Sequence, residues 1–221
     1  MKFLGDLKLF DDIRLLFDLP YSSQSGMLGS VHGLGDLSLL LSYPIIKGQD
    51  SKLSIQGGVK LVTANVNSRN LPQSYQSGLG TNDVLLGINY SFDNFLLSAA
   101  YQISRGRSKN EIDRLKRGDD IMLRGGYFNS FGEIKYSAEL IALKRIHLSS
   151  VVDPINPSHF IDFPGSDQFQ IDLMTKMSYP IFSNFNLEAA FAIPFLERKI
   201  NVDGLTRAFT ISIGGFYSFA Y

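Results

Sequence analysis

FTISIGGFYSFAY, residues 209–221, alternates two kinds of side chain. Phe209, Ile211, Ile213, Gly215, Tyr217, Phe219 and Tyr221 share one parity, while Thr210, Ser212, Gly214, Phe216, Ser218 and Ala220 share the other. Successive side chains of a β-strand point to opposite faces, so this spacing predicts a strand with one apolar face and one small, mostly polar face. The pattern recurs upstream at Ile13, Leu15, Phe17 and Leu19, at Leu37, Leu39, Leu41 and Tyr43, and at Leu53, Ile55, Val59 and Leu61, where Gly57 interrupts it. It returns at Val84, Leu86, Ile88, Tyr90 and Phe92, at Phe95, Leu97, Ala99, Tyr101 and Ile103, and at Ile121, Leu123 and Tyr127. Three more segments carry it: Ile134, Tyr136, Ala138 and Leu140; Phe169, Ile171, Leu173, Met177 and Tyr179; and Phe185, Leu187, Ala189, Phe191 and Ile193. The count is about ten strands, each long enough to cross a bilayer at a tilt.

Composition narrows the partners. A formal net charge of +0 over 221 residues argues against electrostatic binding of nucleic acid. With no Cys and 3 His, neither a disulfide framework nor a thiolate metal site is available, and neither a metal nor a cofactor is expected. No apolar run approaches the roughly 20 residues that a spanning helix needs. The opening MKFLGDLKLFDD is broken by Asp6, Lys8, Asp11 and Asp12 and lacks the apolar stretch of a secretory leader, so we read a mature or N-terminally shortened chain.

A soluble barrel or sandwich would give the same alternation with its apolar face inside. Connections decide between the two. Long polar segments near 22–36, 64–82, 105–119, 147–167 and 195–204 alternate with tight joins at 46–51, 92–94, 128–132 and 180–184. Long loops on one rim and short turns on the other describe a barrel in a bacterial outer membrane, with the long loops extracellular and the short turns periplasmic. Aromatics gather beside the short turns at Phe92 and Phe95, at Tyr127, Phe128 and Phe131, at Tyr179, Phe182 and Phe185, and at Tyr217, Phe219 and Tyr221, as an interfacial girdle would.

The expected fold is therefore all-β: one domain over residues 1–221, a transmembrane antiparallel up-and-down β-barrel of about ten strands. Residues 1–12 are either a periplasmic lead-in or the remnant of a truncated strand, and the second option makes twelve strands in a full-length parent. If the apolar parity meets lipid, the other parity faces a lumen and holds Arg14, Asp18, Lys60, Arg124, Lys135, Glu139, Asp172, Lys176 and Glu188. Arg or Lys on the lipid face costs about 2–4 kcal/mol at the midplane, which explains their confinement to one parity. These nine residues either line an aqueous path or pair across a packed lumen.

Two resemblances add to this reading. The last strand, with Tyr217, Phe219 and Tyr221, resembles the C-terminal signature read by the outer-membrane barrel assembly machinery. DLPYSS at 18–23, GLGDLSL at 33–39, GGVKL at 57–61 and LPQSYQSGLGTNDVLLGINYS at 71–91 resemble the outer-membrane transporter family associated with the meta-pathway of phenol degradation. Lys60, Leu61, Val62, Thr63 and Ala64 stand where that family favours Lys-Leu-Pro-Thr-Gly. The resemblance spans roughly residues 10–92 and implies a barrel transporter, with no catalytic residue carried over.

The functional expectation is a passive channel or transporter for small solutes, hydrophobic or aromatic ones among them. Its partners would be outer-membrane lipid and lipopolysaccharide. A structural or adhesive barrel with a salt-bridged, closed lumen is the alternative. A hydrolase would need His32, His147 or His159 within hydrogen-bond reach of groups such as Asp36, Asp153, Asp162 or Ser158, and neighbourhood in sequence does not supply that. RGRSKNEIDRLKRGDD at 105–120 reads as a solvated loop close to lipopolysaccharide phosphates, since its acids offset much of its basic charge.

Overall fold

The computed structural model describes residues 1–10, 12–200 and 208–218. Its strands are β1 (Lys2–Lys8), β2 (Arg14–Gly26), β3 (Gly29–Leu34), β4 (Leu37–Lys47), β5 (Ser51–Leu61), β6 (Asn82–Phe92) and β7 (Phe95–Arg105). They continue as β8 (Asp120–Phe131), β9 (Ile134–Arg145), β10 (Ser150–Val152), β11 (Phe160–Asp162), β12 (Phe169–Phe182), β13 (Phe185–Leu196) and β14 (Thr210–Tyr217). Twelve belong to one sheet, ordered β1-β2-β4-β5-β6-β7-β8-β9-β12-β13-β14, with β3 folded back on the far half of β2. Every pairing is antiparallel and the long strands follow chain order, so the sheet runs up and down. Helix in the described residues is limited to two single turns, Ser68–Asn70 and Gln73–Tyr75.

All ten alternating segments are strands of this sheet, but the described residues form fourteen strands, twelve of them in this sheet, and not about ten. β1 is the instructive addition. Its charges, Lys2, Asp6 and Lys8, share the parity opposite Phe3 and Leu7, and two of them pair with β2: Asp6 accepts from Arg14 and Lys2 reaches Asp18 at 3.3 Å. The remaining extra strands, β3, β10 and β11, are short pieces inside long connections and carry no extended alternation for a sequence to show.

Burial follows parity in an inverted sense. On the apolar parity Leu97 is 55% exposed, Leu123 56% and Ile213 76%, whereas on the opposite parity Asp83 is 2% exposed and Glu139 1%. A water-soluble β fold does the reverse, because leaving large aliphatics in water forfeits about 25 cal/mol per Å² of apolar surface. The hydrophobic residues that are fully buried among those described, Val31, Val66, Leu71 and Leu115, sit in β3 and in long connections, not in the long strands.

Short turns close one rim. Asp93 (φ 45°) and Gly132 (φ 59°) take the left-handed conformation that two-residue hairpins require, which Asp and Gly tolerate well. Beside the first of these turns, Tyr90, Phe92, Phe95 and Tyr127 form a continuous outer row with ring centroids 5.7, 5.2 and 5.2 Å apart. That is the geometry expected of an aromatic girdle, with one correction. Phe128 points the other way, into a cavity on the polar face, because β8 continues unbroken to Phe131 and keeps its alternation.

Candidate functional site

The polar face carries its charges in three tiers between the long-loop rim and the short-turn rim. At the long-loop rim Lys60 of β5 pairs with Asp83 directly opposite on β6, and Gln102 Nε2 donates to Asp83 Oδ2 at 2.5 Å. Further round the same rim Asp120 receives both Arg145 Nε and Nη2 at 3.1 Å and Arg117 Nη2 at 2.9 Å. Arg198, beyond the end of β13, reaches Asp120 at 3.6 Å. Three strand spacings separate β8 from β13, roughly 14 Å along a sheet, so this contact passes over β9 and β12 on the polar face. Burial pushes the Arg198 guanidinium below its ordinary value, Asp120 opposes the fall, and Arg145 and Arg117 add to it.

The middle tier is a triad. Glu139 of β9 accepts from Arg124 Nε at 2.6 Å and from Ser137 Oγ at 3.2 Å, with Lys176 Nζ at 3.6 Å. Both carboxylate oxygens of Asp172 accept from the Gln170 side-chain nitrogen, at 2.9 and 2.7 Å. At the short-turn end Lys135, Lys176, Ser178 and Glu188 border a cavity of about 480 Å³ floored by Phe128. Between the charges the same parity holds Leu16, Leu40, Leu85, Leu96, Met122 and Met174, all half-buried.

Above the long-loop rim the connections 62–81, 106–119 and 146–168 interlock into a cap. Asn110 is its pivot, at 0% exposure. Its Nδ2 donates to the carbonyls of Val66 (2.6 Å) and Leu71 (2.9 Å), and its Oδ1 accepts from the backbone of Ile112 at 3.0 Å. Gln73 donates to the carbonyl of Gly78 and accepts from Ser108, and Asp113 accepts from the backbone of Gln73 at 2.9 Å. Burial raises the Asp113 carboxyl above its usual range, against the pull of the Gln73 and Leu115 backbone donors. The cap is fastened to the sheet by Asp36, which accepts from the backbone of Leu79 at 2.6 Å and Gly80 at 3.2 Å. Gly80, at φ +68°, supplies the left-handed bend that turns its N–H toward that carboxylate.

Of the nine residues singled out by parity, Lys60, Arg124, Glu139 and Lys176 enter ion pairs on the polar face, and Arg14 and Asp18 pair with β1. Asp172 binds Gln170, while Lys135 and Glu188 face the cavity. Tyr217 lies on the exposed parity of β14, and Phe219 and Tyr221 fall outside the described residues. The reading of residues 105–120 as a solvated loop is corrected. Ser108, Asn110, Leu115 and Asp120 are buried, because short polar side chains there satisfy backbone groups of the neighbouring loops. Arg107 lies 3.5 Å over the Phe160 ring and donates to Ser150 Oγ at 2.8 Å.

The histidines are not gathered. His147 Nδ1 is 3.4 Å from Asp119, whereas His32 sits on β3 and His159 in the connection before β11, all three exposed. The described residues contain no group of three or more His, Cys, Asp or Glu placed to hold a metal ion.

This up-and-down sheet, with its greasy face exposed and its charges on the other face, has a counterpart in fold among solved structures. An outer membrane channel from Pseudomonas putida F1 matches with a TM-score of 0.65, at 14% sequence identity, over 96% of this chain and 78% of that one. The two share a fold. No family profile matches the chain, and no curated protein matches its sequence.

Proposed function

We propose that this chain is the wall of a bacterial outer-membrane β-barrel through which small solutes, hydrophobic and aromatic ones among them, pass passively. The observation that carries the reading is the inversion of burial: exposed aliphatics on one parity, sequestered ion pairs on the other. Such a surface is stable where hydrocarbon replaces water. The fold shared with an outer membrane channel supports it, and the inner leucines and methionines lend the path an apolar side. The link to phenol degradation rests on the motifs of residues 10–92 alone.

Up-and-down order makes β1 and β14 run in the same direction, so an antiparallel seam between them needs one further strand. Closure then gives twelve, the larger of the two counts expected from sequence. On this reading outer-membrane lipid meets the apolar parity, and Arg105, Lys109, Arg114 and Lys116, exposed at the long-loop rim, face lipopolysaccharide phosphates. The barrel assembly machinery would engage the C-terminal segment that holds Tyr217, Phe219 and Tyr221. No catalytic step is assigned to His32, His147 or His159.

The interlocked cap and the Arg124–Glu139–Lys176 triad favour a second reading, a structural or adhesive barrel with a closed lumen. Planar-bilayer recording of the purified protein separates the two. Small, discrete conductance steps are expected, because ion pairs and cap narrow the path. Zero conductance together with zero solute flux in liposomes would leave the closed barrel as the correct account.

A further inference from the structure

Lys135 of β9 is paired in register with Ser178 of β12, and Ser178 with Glu188 of β13. The three side chains form one row across the inner face, with a cation and an anion two strand spacings apart, about 10 Å between backbones. Lys135 and Glu188 make no ion pair or hydrogen bond among the described residues, although both border the cavity at the short-turn end. Elsewhere on this face Asp83 is matched by Lys60, Asp120 by three arginines and Glu139 by Arg124 and Lys176, while Asp172 takes the Gln170 amide.

We propose that the row Lys135–Ser178–Glu188 is a binding site for a small zwitterion with an apolar side chain, the class to which aromatic amino acids belong. A carboxylate placed at Lys135 and an ammonium at Glu188 satisfy both charges at once, and the Ser178 hydroxyl between them bonds either group. A simple anion leaves Glu188 facing it with like charge, and a simple cation meets Lys135 and Lys176. Discrimination against each single ion is therefore built into the row. The Phe128 ring on the neighbouring strand gives an apolar side chain its seat, and about 480 Å³ is room for a molecule of that size. The assignment deepens the channel reading and rests on it for the solute's route to the cavity.

Calorimetry on the folded protein in a non-ionic detergent tests it with three probes of one shape: phenylalanine, 3-phenylpropionate and phenethylamine. Phenylalanine binds roughly tenfold tighter than either single ion, the loss expected for one charge-assisted contact in a wet site. Glu188→Gln removes the preference over 3-phenylpropionate, and Lys135→Gln the preference over phenethylamine. The double exchange Lys135→Glu with Glu188→Lys restores both preferences, which a merely structural role would not do. Equal binding of the three probes to the parent protein, or variants that keep its preferences, overturns the assignment. Conductance recorded alongside keeps the two claims apart. A conducting protein without zwitterion preference loses the site and keeps the channel, and a non-conducting one with the preference does the opposite.

Discussion

Glu139→Ala lowers the stability of the folded protein by about 3 kcal/mol, the lower end of the cost of orphaning a buried charge partner. The carboxylate is fully sequestered, and its removal leaves Arg124 and Lys176 on the inner face without an anion. Each cation is about a quarter exposed, at 26% and 29%, so water recovers part of the loss and the upper end of the range does not apply. Denaturant titration in detergent, followed by the heat-modifiable gel mobility of the folded form, reads the change. Removing all three charges, as Arg124→Met, Glu139→Leu and Lys176→Met, regains most of the loss, since desolvation of the triad nearly offsets its attraction. A Glu139→Ala midpoint indistinguishable from the parent would show that the triad is solvated and that the middle tier is open water.

Asn110→Leu unfastens the cap while leaving the sheet intact. The substitution orphans the Val66 carbonyl and removes the acceptor that Ile112 uses, whereas Leu71 keeps its bond from Gln76 Nε2 at 2.8 Å. One buried unsatisfied carbonyl and the lost turn bonds from Ile112 and Asp113 together cost about 2 kcal/mol of local stability. Limited proteolysis within 62–81 and 106–119 then accelerates roughly thirty-fold, and the conductance of the open path rises. Unfolding of the whole sheet should move little, because the described cap contacts it chiefly through Asp36 and the strand ends. Unchanged proteolysis would mean that the loops hold one another without Asn110.

Parity makes most of the architecture legible in the sequence. Ile121 and Leu123 face out, so Asp120 and Arg124 must face in, and the same step assigns Asp83 from Val84 and Arg145 from Leu140. Asp83, Asp120 and Arg145 were nevertheless missed as site residues, because they sit at strand ends where alternation shades into loop. Arg117 and Arg198 had no signal of this kind, lying in connections with no period. Asp36 was visible only as half of a Gly-Asp pair in a quoted motif, and its task of clamping the 62–81 loop depends on a contact 43 residues away in sequence. The cap is the least legible feature of all. Its cohesion comes from Asn, Gln and Ser side chains meeting backbone carbonyls, and such residues read equally well as solvated loop. β1 keeps the period, with Phe3, Gly5 and Leu7 on one parity and Lys2, Asp6 and Lys8 on the other, but three charges in seven residues mask the strand until Asp18 and Arg14 of β2 are seen paired with Lys2 and Asp6.

The account stands on which side of the strands meets hydrocarbon, and a chain without cysteine lends itself to single-site spin labelling. Nitroxides introduced one at a time at Leu97, Leu123 and Ile213, and at Ser98, Ser137 and Ser212, are read in lipid vesicles by collision with dissolved oxygen and with a water-soluble nickel chelate. We expect the first three to favour oxygen, with its maximum near mid-bilayer, and the second three to be shielded from lipid. Nickel access at Leu97, Leu123 and Ile213 equal to that at the hairpin tip residue Met27 would contradict the account, because those side chains would then face water.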